Sequence, residues 1–211
     1  MRFPIARITA IETQVHSPSR KNVFLDGEFA FGLHEDVVYG HHLHEGDEVA
    51  DSTIHELVLE DEVLRAKDKA RSLLSYRMRS VGELRDRLSR KPFSEPAIER
   101  VVQDFLHVGL LNDAQFAQAY VQTRLIQKPV SRRLMAAELR RKGVSESDAQ
   151  SAIEAQYTES DFEIALGLTE KRVLRYRGEA SLKVKKKLSD FLTRRGFAWD
   201  VISEVLGEVG V

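Results

Sequence analysis

Hydrophobic positions in the last two thirds of the chain recur with a spacing of close to fifty residues. Leu88, Leu139 and Leu192 each open a similar segment, and they are separated by 51 and 53 residues. Each leucine has an apolar residue four positions before it and others ten, thirteen and fourteen positions after it. These are Leu84, Ile98, Val101 and Val102, then Met135, Ala149, Ala152 and Ile153, then Leu188, Ile202, Val205 and Leu206. Offsets of four place side chains on one helical face, so the pattern indicates three tandem helical repeats.

The segment after each leucine predicts a turn between two helices. Gly143 and Gly196 stand where a helix end adopts a left-handed conformation, which costs glycine least. In the first repeat Pro92 takes this place and ends the helix, because proline cannot continue the hydrogen-bond ladder. Ser94 and Ser145 follow as N-cap candidates for the next helix.

Other boundary residues mark further helices. Thr53 and Glu56 match a capping box, which predicts the start of a long helix that runs to about Tyr76. Gly109 predicts a helix end, and Asn112 or Asp113 is expected to cap the helix that follows.

These boundaries predict a mainly α fold. We expect an elongated tandem array of three three-helix repeats preceded by a small β-rich N-terminal module. Each repeat is expected to hold one long helix and two shorter ones, and to bury its apolar face by stacking on its neighbour. The ranges are 1–52 for the module, 53–64 for the start of a linking helix, and 65–111, 112–157 and 158–211 for the repeats.

The first fifty residues predict strands rather than helices. Residues 5–15 are rich in β-branched side chains, which favours a strand, although their apolar spacing would also suit a helix. Asp26-Gly27 lies between two short apolar runs and predicts a tight hairpin turn. A short helix at about residues 35–39 and a turn at Glu45-Gly46-Asp47 are expected to complete the module.

Composition excludes several classes of protein. The chain has 211 residues, 42% of them hydrophobic and 31% charged, which is typical of a globular protein. No apolar run approaches the roughly 18 residues of a membrane-spanning helix. Met1-Arg2-Phe3-Pro4 is not followed by the apolar stretch of a signal peptide, so a cytoplasmic protein is expected. With no cysteine, disulfides and thiolate sites are excluded.

The net charge of −1 conceals a strong asymmetry. Residues 1–63 hold four basic side chains and thirteen acidic ones, a net charge of −9, whereas residues 64–211 hold 28 basic and 20 acidic ones, a net charge of +8. This division indicates that the repeats meet a negatively charged partner.

No catalytic or metal site is expected. The sequence lacks nucleotide-binding glycine loops, zinc-protease motifs and the nucleophile elbow of hydrolases. Four histidines lie close together, but two of them are adjacent and would point apart, which does not suit a metal site. We interpret them as solvent-facing loop residues, and we expect no cofactor. They are His34, His41, His42 and His44.

Basic residues cluster at the C-terminal end of the middle helix in each repeat, and at its N-terminal end in repeats two and three. Cations at the C-terminal end are favoured by the helix dipole, by about 0.3–1 kcal/mol, so stability is a sufficient explanation for many of them. Cations at the N-terminal end are opposed by the dipole, which favours an anionic partner as their explanation. The C-terminal pairs are Arg90/Lys91, Arg141/Lys142 and Arg194/Arg195, and the N-terminal groups are Arg132/Arg133 and Lys183, Lys185, Lys186 and Lys187.

Aromatic residues are scarce among these cations, so specific base reading is not expected. Only Tyr76 with Arg77 and Arg79, and Tyr176 with Arg175 and Arg177, combine the two, and we interpret each tyrosine as packing at a helix end. The candidate binding surface comprises Arg77, Arg79, Arg132, Arg133, Arg140, Arg141, Lys142, Lys183, Lys185, Lys186 and Lys187.

Several short motifs are specific when taken together. They are Leu73-Leu74-Ser75-Tyr76-Arg77, Arg79-Ser80, Glu83-Leu84, Lys91-Pro92-Phe93, Gly109-Leu110-Leu111-Asn112-Asp113, Phe116-Ala117 with Tyr120, and Leu139-Arg140-Arg141-Lys142-Gly143-Val144. With these motifs the chain resembles the bacterial RecX regulators of the RecA recombinase, closely over residues 65–157 and loosely over the third repeat. The N-terminal module resembles the extension of longer members, and Pro92 departs from the usual glycine.

The resemblance implies a non-enzymatic protein that binds the RecA–DNA filament and inhibits strand exchange and ATP turnover in DNA repair, homologous recombination and the SOS response. We expect a monomer without a membrane anchor, and weak, sequence-independent contact with single- or double-stranded DNA. Two alternatives stay open: a stand-alone helical nucleic-acid-binding protein, and a scaffold for another acidic protein.

Overall fold

The computed structural model describes residues 5–176 and 180–210. Within these ranges the chain forms ten α-helices and one four-stranded antiparallel sheet, which confirms the predicted mainly α class with a β-rich N-terminal module and three three-helix repeats. None of the helices in these ranges is long and apolar enough to cross a bilayer. Met1-Arg2-Phe3-Pro4 and Arg177, which entered the predictions above, lie outside the described residues.

The N-terminal module is an antiparallel sheet with the strand order β3-β2-β1-β4. The strands are β1 (Ile5–Gln14), β2 (Ser17–Leu25), β3 (Glu28–His34) and β4 (Glu48–Ala50), and the helix α1 (Glu35–Gly40) follows β3. The β-branched N-terminal stretch is therefore a strand, not the alternative helix. Asp26 and Gly27 have positive φ angles of 49° and 89°, which confirms the predicted hairpin. The predicted short helix and the turn at Glu45-Gly46 are confirmed as well.

The long helix α2 (Asp51–Tyr76) is attached to the sheet by a buried carboxylate. Asp61 is 2% exposed and accepts hydrogen bonds from both terminal nitrogens of Arg20, at 3.0 and 3.1 Å. It also accepts from Arg65 Nε at 2.9 Å and from the backbone N–H of His34 at 2.7 Å. Because both oxygens are paired, the charge is tolerated in the interior.

The observed helix caps agree with those predicted from the sequence at some positions only. The predicted capping box at Thr53 and Glu56 is wrong: the N-cap of α2 is Ala50, three residues before Thr53, and it has no side chain that could accept a hydrogen bond. Asn112 and Ser145 cap their helices as predicted, by accepting from the backbone N–H three residues later. Ser94 occupies an N-cap position, but its side chain bonds to Glu62 instead.

The helices of the repeats follow in chain order. After α2 they are α3 (Val81–Ser89), α4 (Glu95–His107), α5 (Asp113–Gln127), α6 (Arg132–Arg141), α7 (Glu146–Gln156), α8 (Asp161–Val173), α9 (Ser181–Arg194) and α10 (Trp199–Glu208), with a short 3-10 helix at Leu174–Tyr176. The first helix of a repeat is the longest in repeats one and two. In repeat three the middle helix α9, with 14 residues, is slightly longer than α8, with 13.

The chain packs as two compact units, and the division between them falls within α3. One unit comprises Met1–Arg77 and Leu84–Leu110, and the other, which we call the C-terminal unit, comprises Met78–Glu83 and Leu111–Val211. Within the C-terminal unit, repeats two and three each enclose a core of their own, with Leu139 and Leu192 fully buried at their centres. Ile164 packs against both cores, which confirms the expected stacking for this pair of repeats.

The four clustered histidines have different surroundings. His41, His42 and His44 are exposed as predicted, and His41 Nε2 lies 2.7 Å from a carboxylate oxygen of Glu60. His34 is partly buried instead, and its ring nitrogen accepts the backbone N–H that begins α1. Within residues 5–176 and 180–210, no three histidine, aspartate or glutamate side chains converge on one point.

Candidate partner-binding surface

The candidate cations on the repeats differ in whether their side chains have partners within the chain. The reason is that two of the three middle helices begin inside contacts between repeats. In the first of these contacts, Ser80 is fully buried and donates its hydroxyl to the carbonyl oxygen of Lys142, at 2.5 Å. The same hydroxyl accepts the backbone N–H of Glu83 at 3.0 Å, which caps α3. A Cβ on Gly82 would lie 2.9 Å from Gly143 Cα, so the two backbones approach too closely for side chains.

The turn after α9 packs against the start of α6 in the same way. Ser131 is 1% exposed, donates its hydroxyl to the carbonyl oxygen of Gly196 at 2.7 Å, and accepts the backbone N–H of Leu134 at 3.2 Å. A Cβ on Gly196 would lie 2.5 Å from Leu134 Cβ. We call the contact of Ser80 and Gly82 with Lys142 and Gly143 the first joint, and the contact of Ser131 and Leu134 with Arg195 and Gly196 the second joint.

A carboxylate from the next repeat closes each joint. Asp113 Oδ1 accepts the backbone N–H of Val81 at 2.8 Å, and Asp161 Oδ1 accepts the backbone N–H of Arg132 at 3.2 Å. Both carboxylates lie at a helix N-terminus, where the helix dipole favours negative charge. The beginnings of α3 and α6 are therefore satisfied by the fold itself.

Arg132 is bound within the second joint. Its guanidinium donates to the carbonyl oxygens of Glu159 and Tyr157, at 2.7 and 3.2 Å, and lies 3.3 Å from Asp161. It also stacks on the Tyr157 ring, 4.8 Å from the ring centre. Burial raises the pKa of Tyr157 above its usual range, so this tyrosine stays protonated. Because Asp161 and the two carbonyls offset the unfavourable dipole, no external anion is needed to explain Arg132.

Lys142 is bound within the first joint. Its Nζ lies 2.6 Å from a carboxylate oxygen of Glu83 and 4.8 Å from the centre of the Tyr120 ring. The Tyr120 hydroxyl donates to Glu138 at 2.8 Å, and the same carboxylate accepts from Arg124 at 3.0 Å. Burial, together with the bond to Glu138, raises the pKa of Tyr120 to about 12. The predicted cation thus belongs to a half-buried network.

The lysines at the start of α9 have different surroundings. Lys183, Lys185 and Lys186 are exposed, and their side chains form no ion pair or hydrogen bond with any residue in the described ranges. Lys187 lies over the Tyr176 ring, 4.9 Å from its centre. The N-cap residue of α9 is Ala180, which has no side-chain acceptor, and the first turn has no acidic residue.

The remaining candidates lie at helix ends. Arg140 and Arg141 are exposed in the last turn of α6. Arg133 is exposed, and its guanidinium donates to the carbonyl oxygen of Gly196 at 3.3 Å. Arg77 and Arg79 lie between α2 and α3, the first of them exposed and the second partly buried.

Sequence reasoning missed the serines and one arginine that build the joints. Ser80 and Ser131 both stand eight residues before a repeat leucine, and this shared offset is the signal that could have found them. Arg195 was interpreted as a helix-end cation, but its guanidinium donates to the carbonyl oxygen of Pro129 and lies 5.0 Å from the Phe191 ring centre. Burial and the nearby positive charges of Arg124 and Arg172 lower the pKa of Arg195.

Comparison with known proteins gives matches along most of the chain. Residues 6–50 match the N-terminal domain of regulatory protein RecX, and residues 66–105, 112–153 and 159–206 match the first, second and third three-helix domains of RecX. Regulatory protein RecX of Bacillus subtilis is 33% identical over 96% of this chain and 76% of its own length. Regulatory protein RecX of Clostridioides difficile is 30% identical over 96% of this chain and 95% of its own.

Solved structures are similar as well. A crystal structure of regulatory protein RecX is 28% identical, with a TM-score of 0.69 over 95% of this chain and 98% of that one. RecX from Lactobacillus salivarius is 25% identical, with a TM-score of 0.60 over 72% of this chain and 98% of that one. The chain therefore belongs to the RecX family of regulatory proteins.

Proposed function

We propose that this member of the RecX family binds the RecA–DNA filament and inhibits the recombinase and its ATPase activity in DNA repair. The relatives carry the name of a regulatory protein, which is not that of an enzyme. On this proposal the chain acts in the cytoplasm as a monomer, and it contributes neither catalytic chemistry nor a cofactor.

The observation that carries the proposal is the group of exposed lysines at the start of α9. The side chains of Lys183, Lys185 and Lys186 form no ion pair or hydrogen bond with the part of the chain that the structure describes. Lys183 lies in the first turn of α9, where the helix dipole opposes a cation, and an acidic partner would offset that cost. A filament assembled on DNA is a polyanion and supplies such a partner.

The other predicted cations contribute in two ways. We assign direct contact with the filament to Arg77, Arg79, Arg133, Arg140, Arg141 and Lys187 together with the three lysines. For Arg132 and Lys142 we propose mainly an indirect contribution, because their charges are held by Asp161 and Glu83. These two residues keep the repeats in place.

The test is ATP hydrolysis by RecA on single-stranded DNA. Adding the protein at substoichiometric to equimolar ratios should lower the rate of hydrolysis and of strand exchange. Unchanged rates in both assays would refute the proposal.

Free DNA would also be attracted by the α9 lysines, so a nucleic-acid-binding protein is the second candidate. Weak binding that falls steeply with salt is expected from electrostatics alone. A tight, sequence-selective duplex complex in the absence of RecA would favour the second candidate.

A further inference from the structure

A groove opens between the C-terminal end of α5 and the middle of α8, within the C-terminal unit. Its volume is about 370 Å³, which is in the range of specific binding pockets. Half of its lining residues are apolar, and the lining comes from both helices and from the segments that follow α5 and α7. The apolar lining residues are Leu125, Ile126, Pro129, Tyr157, Ile164 and Leu168.

Two residues show that the groove is open to an occupant. Ile126 forms part of the lining and is 78% exposed, although burial of a large aliphatic side chain is favourable. Gly167 lies inside α8, and a Cβ built on it would meet no atom within 4 Å. Glycine is a poor helix residue, yet here it leaves space that any other side chain would occupy.

Charges differ between the two ends of the groove. Glu159 and Glu163 lie at one end, and Lys171 lies two helical turns beyond Glu163, about 12 Å along α8. Hydrogen bonds from the backbone N–H and the hydroxyl of Ser160 lower the pKa of Glu163, so its carboxylate is ionised at neutral pH. An occupant with a basic group at the Glu163 end would be complementary.

The chemistry of the groove favours a protein segment. Two carboxylates at the rim repel phosphates, so a nucleic-acid strand does not suit this surface. A lining that is partly apolar, with charged residues toward its ends, fits one bulky apolar side chain with charged neighbours, as at the centre of a protein–protein contact.

We propose that this groove receives an apolar side chain of a subunit in the RecA filament, with a basic residue of that subunit next to Glu159 and Glu163. This inference rests on the function proposed above and adds a second contact of a different kind. The α9 lysines give an attraction that salt screens, whereas the groove gives an apolar contact that salt does not weaken.

The test fills the groove by the substitution Gly167→Leu. The matched control is Gly207→Leu in α10, because a Cβ at Gly207 also meets no atom within 4 Å and the residue is exposed. Both variants should melt at or above the temperature of the unchanged protein, since leucine favours helix more than glycine does. A second variant, Ile126→Asp, removes the exposed apolar group without touching the core.

Binding is measured to RecA filaments on single-stranded DNA at a low and a high salt concentration. Gly167→Leu and Ile126→Asp should each bind about tenfold more weakly at both concentrations, as expected for the loss of one buried apolar side chain. Gly207→Leu should stay within about twofold of the unchanged protein.

The outcomes separate the two proposals. If the unchanged protein binds filaments and the groove variants bind equally well, the groove inference is wrong and the proposed function stands. If the unchanged protein does not bind filaments, the proposed function and the groove inference both fail. Concentration-dependent dimers that disappear in Gly167→Leu would assign the groove to a second copy of this chain and overturn the inference.

Discussion

The middle helices α6 and α9 of successive repeats both carry clustered cations near their N-terminal ends, although α9 begins four residues earlier relative to its repeat leucine. At α6, Ser131 caps the helix, Asp161 lies at its first N–H, and Arg132 is bound by three oxygens. At α9, the cap is Ala180, and Lys183, Lys185 and Lys186 are exposed. A recurring sequence pattern thus serves a joint between repeats in one place and leaves an open charged surface in the other.

This difference separates residues that maintain the fold from residues available to a partner. The helix dipole alone predicted the same role for both groups, because it depends only on position along a helix. The contacts across the joint decide otherwise, since they come from residues far away along the chain. Variants at the two helix ends should therefore behave differently.

Substitutions of the joint glycines should cause the largest losses of unfolding free energy. Gly143 has a φ angle of 80°, and a Cβ on it would lie 2.8 Å from Gly82 Cα. Gly143→Ala therefore combines backbone strain with a steric clash, and it should lower the unfolding free energy by more than about 2 kcal/mol. Gly109, with a φ angle of 73° and no atom within 4 Å, is the matched control, and Gly109→Ala should cost about 1 kcal/mol. Urea unfolding measures both values. Equal losses would show that the close approach in the first joint adds nothing.

Arg132 should behave as a structural residue. Arg132→Ala should lower the unfolding free energy by about 1–2 kcal/mol, because it removes charge-assisted hydrogen bonds and the stacking on Tyr157. The neighbouring Arg133→Ala removes one long bond at the surface and should cost less than about 0.5 kcal/mol. If Arg132→Ala were as stable as the unchanged protein or more stable, Arg132 would instead be a cation that the helix dipole disfavours, as predicted from its position alone.

Acid should weaken the network on α6. Burial alone would raise the pKa of Glu138, but hydrogen bonds from Arg124 and Tyr120 outweigh it and lower this pKa. The contribution of Glu138 is therefore present above its unfolded-state pKa, about 4.3, and is lost as the pH falls through the lower folded-state pKa.

The variant Glu138→Gln removes the charge and measures this contribution. It should cost about 1 kcal/mol at neutral pH, and its difference from the unchanged protein should shrink below about pH 4. Thermal melts between neutral pH and pH 3 measure this difference. A difference that stays constant with pH would mean that the charge of Glu138 contributes nothing to stability.

The α9 lysines should have the smallest effect on stability. Replacing Lys183, Lys185 and Lys186 together with alanine should change the unfolding free energy by less than about 0.5 kcal/mol. Filament binding should nevertheless weaken, and its dependence on salt should become shallower because fewer ion pairs form.

The control for this triple variant is Arg100→Ala, an exposed cation on α4, which should bind as the unchanged protein does. Thermal melts and binding titrations at two salt concentrations measure these effects. If the triple variant binds like the unchanged protein, the contact surface lies elsewhere.

The parts of the fold that depend on local sequence were predictable. Leucines spaced by repeats, Gly143 and Gly196 at positive φ, and Asn112 as a cap each reflect interactions within a few residues. Contacts between distant residues were not predictable from one sequence. Ser80 bonds to a residue 62 positions away, and Ser131 to one 65 positions away.

Burial of charge was equally hidden in the sequence. Asp61 stands within the acidic run Glu60-Asp61-Glu62, which by itself indicates a solvent-facing helix. Only the hydrogen bonds from strand β2 and from the start of α1 show that this carboxylate fastens α2 to the sheet. The assignment of the binding cations was limited in the same way, because the sequence cannot show which of them have partners elsewhere in the chain.

The joints also bear on how separate molecules meet. Each joint is a head-to-tail contact, in which a glycine turn of one repeat packs on the serine-capped helix of the repeat before it. When both the turn and the capped helix are exposed at the ends of a molecule, such contacts can continue from one molecule to the next without limit. In this protein the turn of repeat one and the middle helix of repeat three each lack a residue that the joints require. The turn of repeat one carries the ring of Pro92 where the joint requires glycine. Val184 stands eight residues before Leu192, where Ser80 and Ser131 supply the hydroxyl in the first two repeats, and valine has no hydroxyl. We therefore expect these two residues to disfavour open-ended association of the protein with itself.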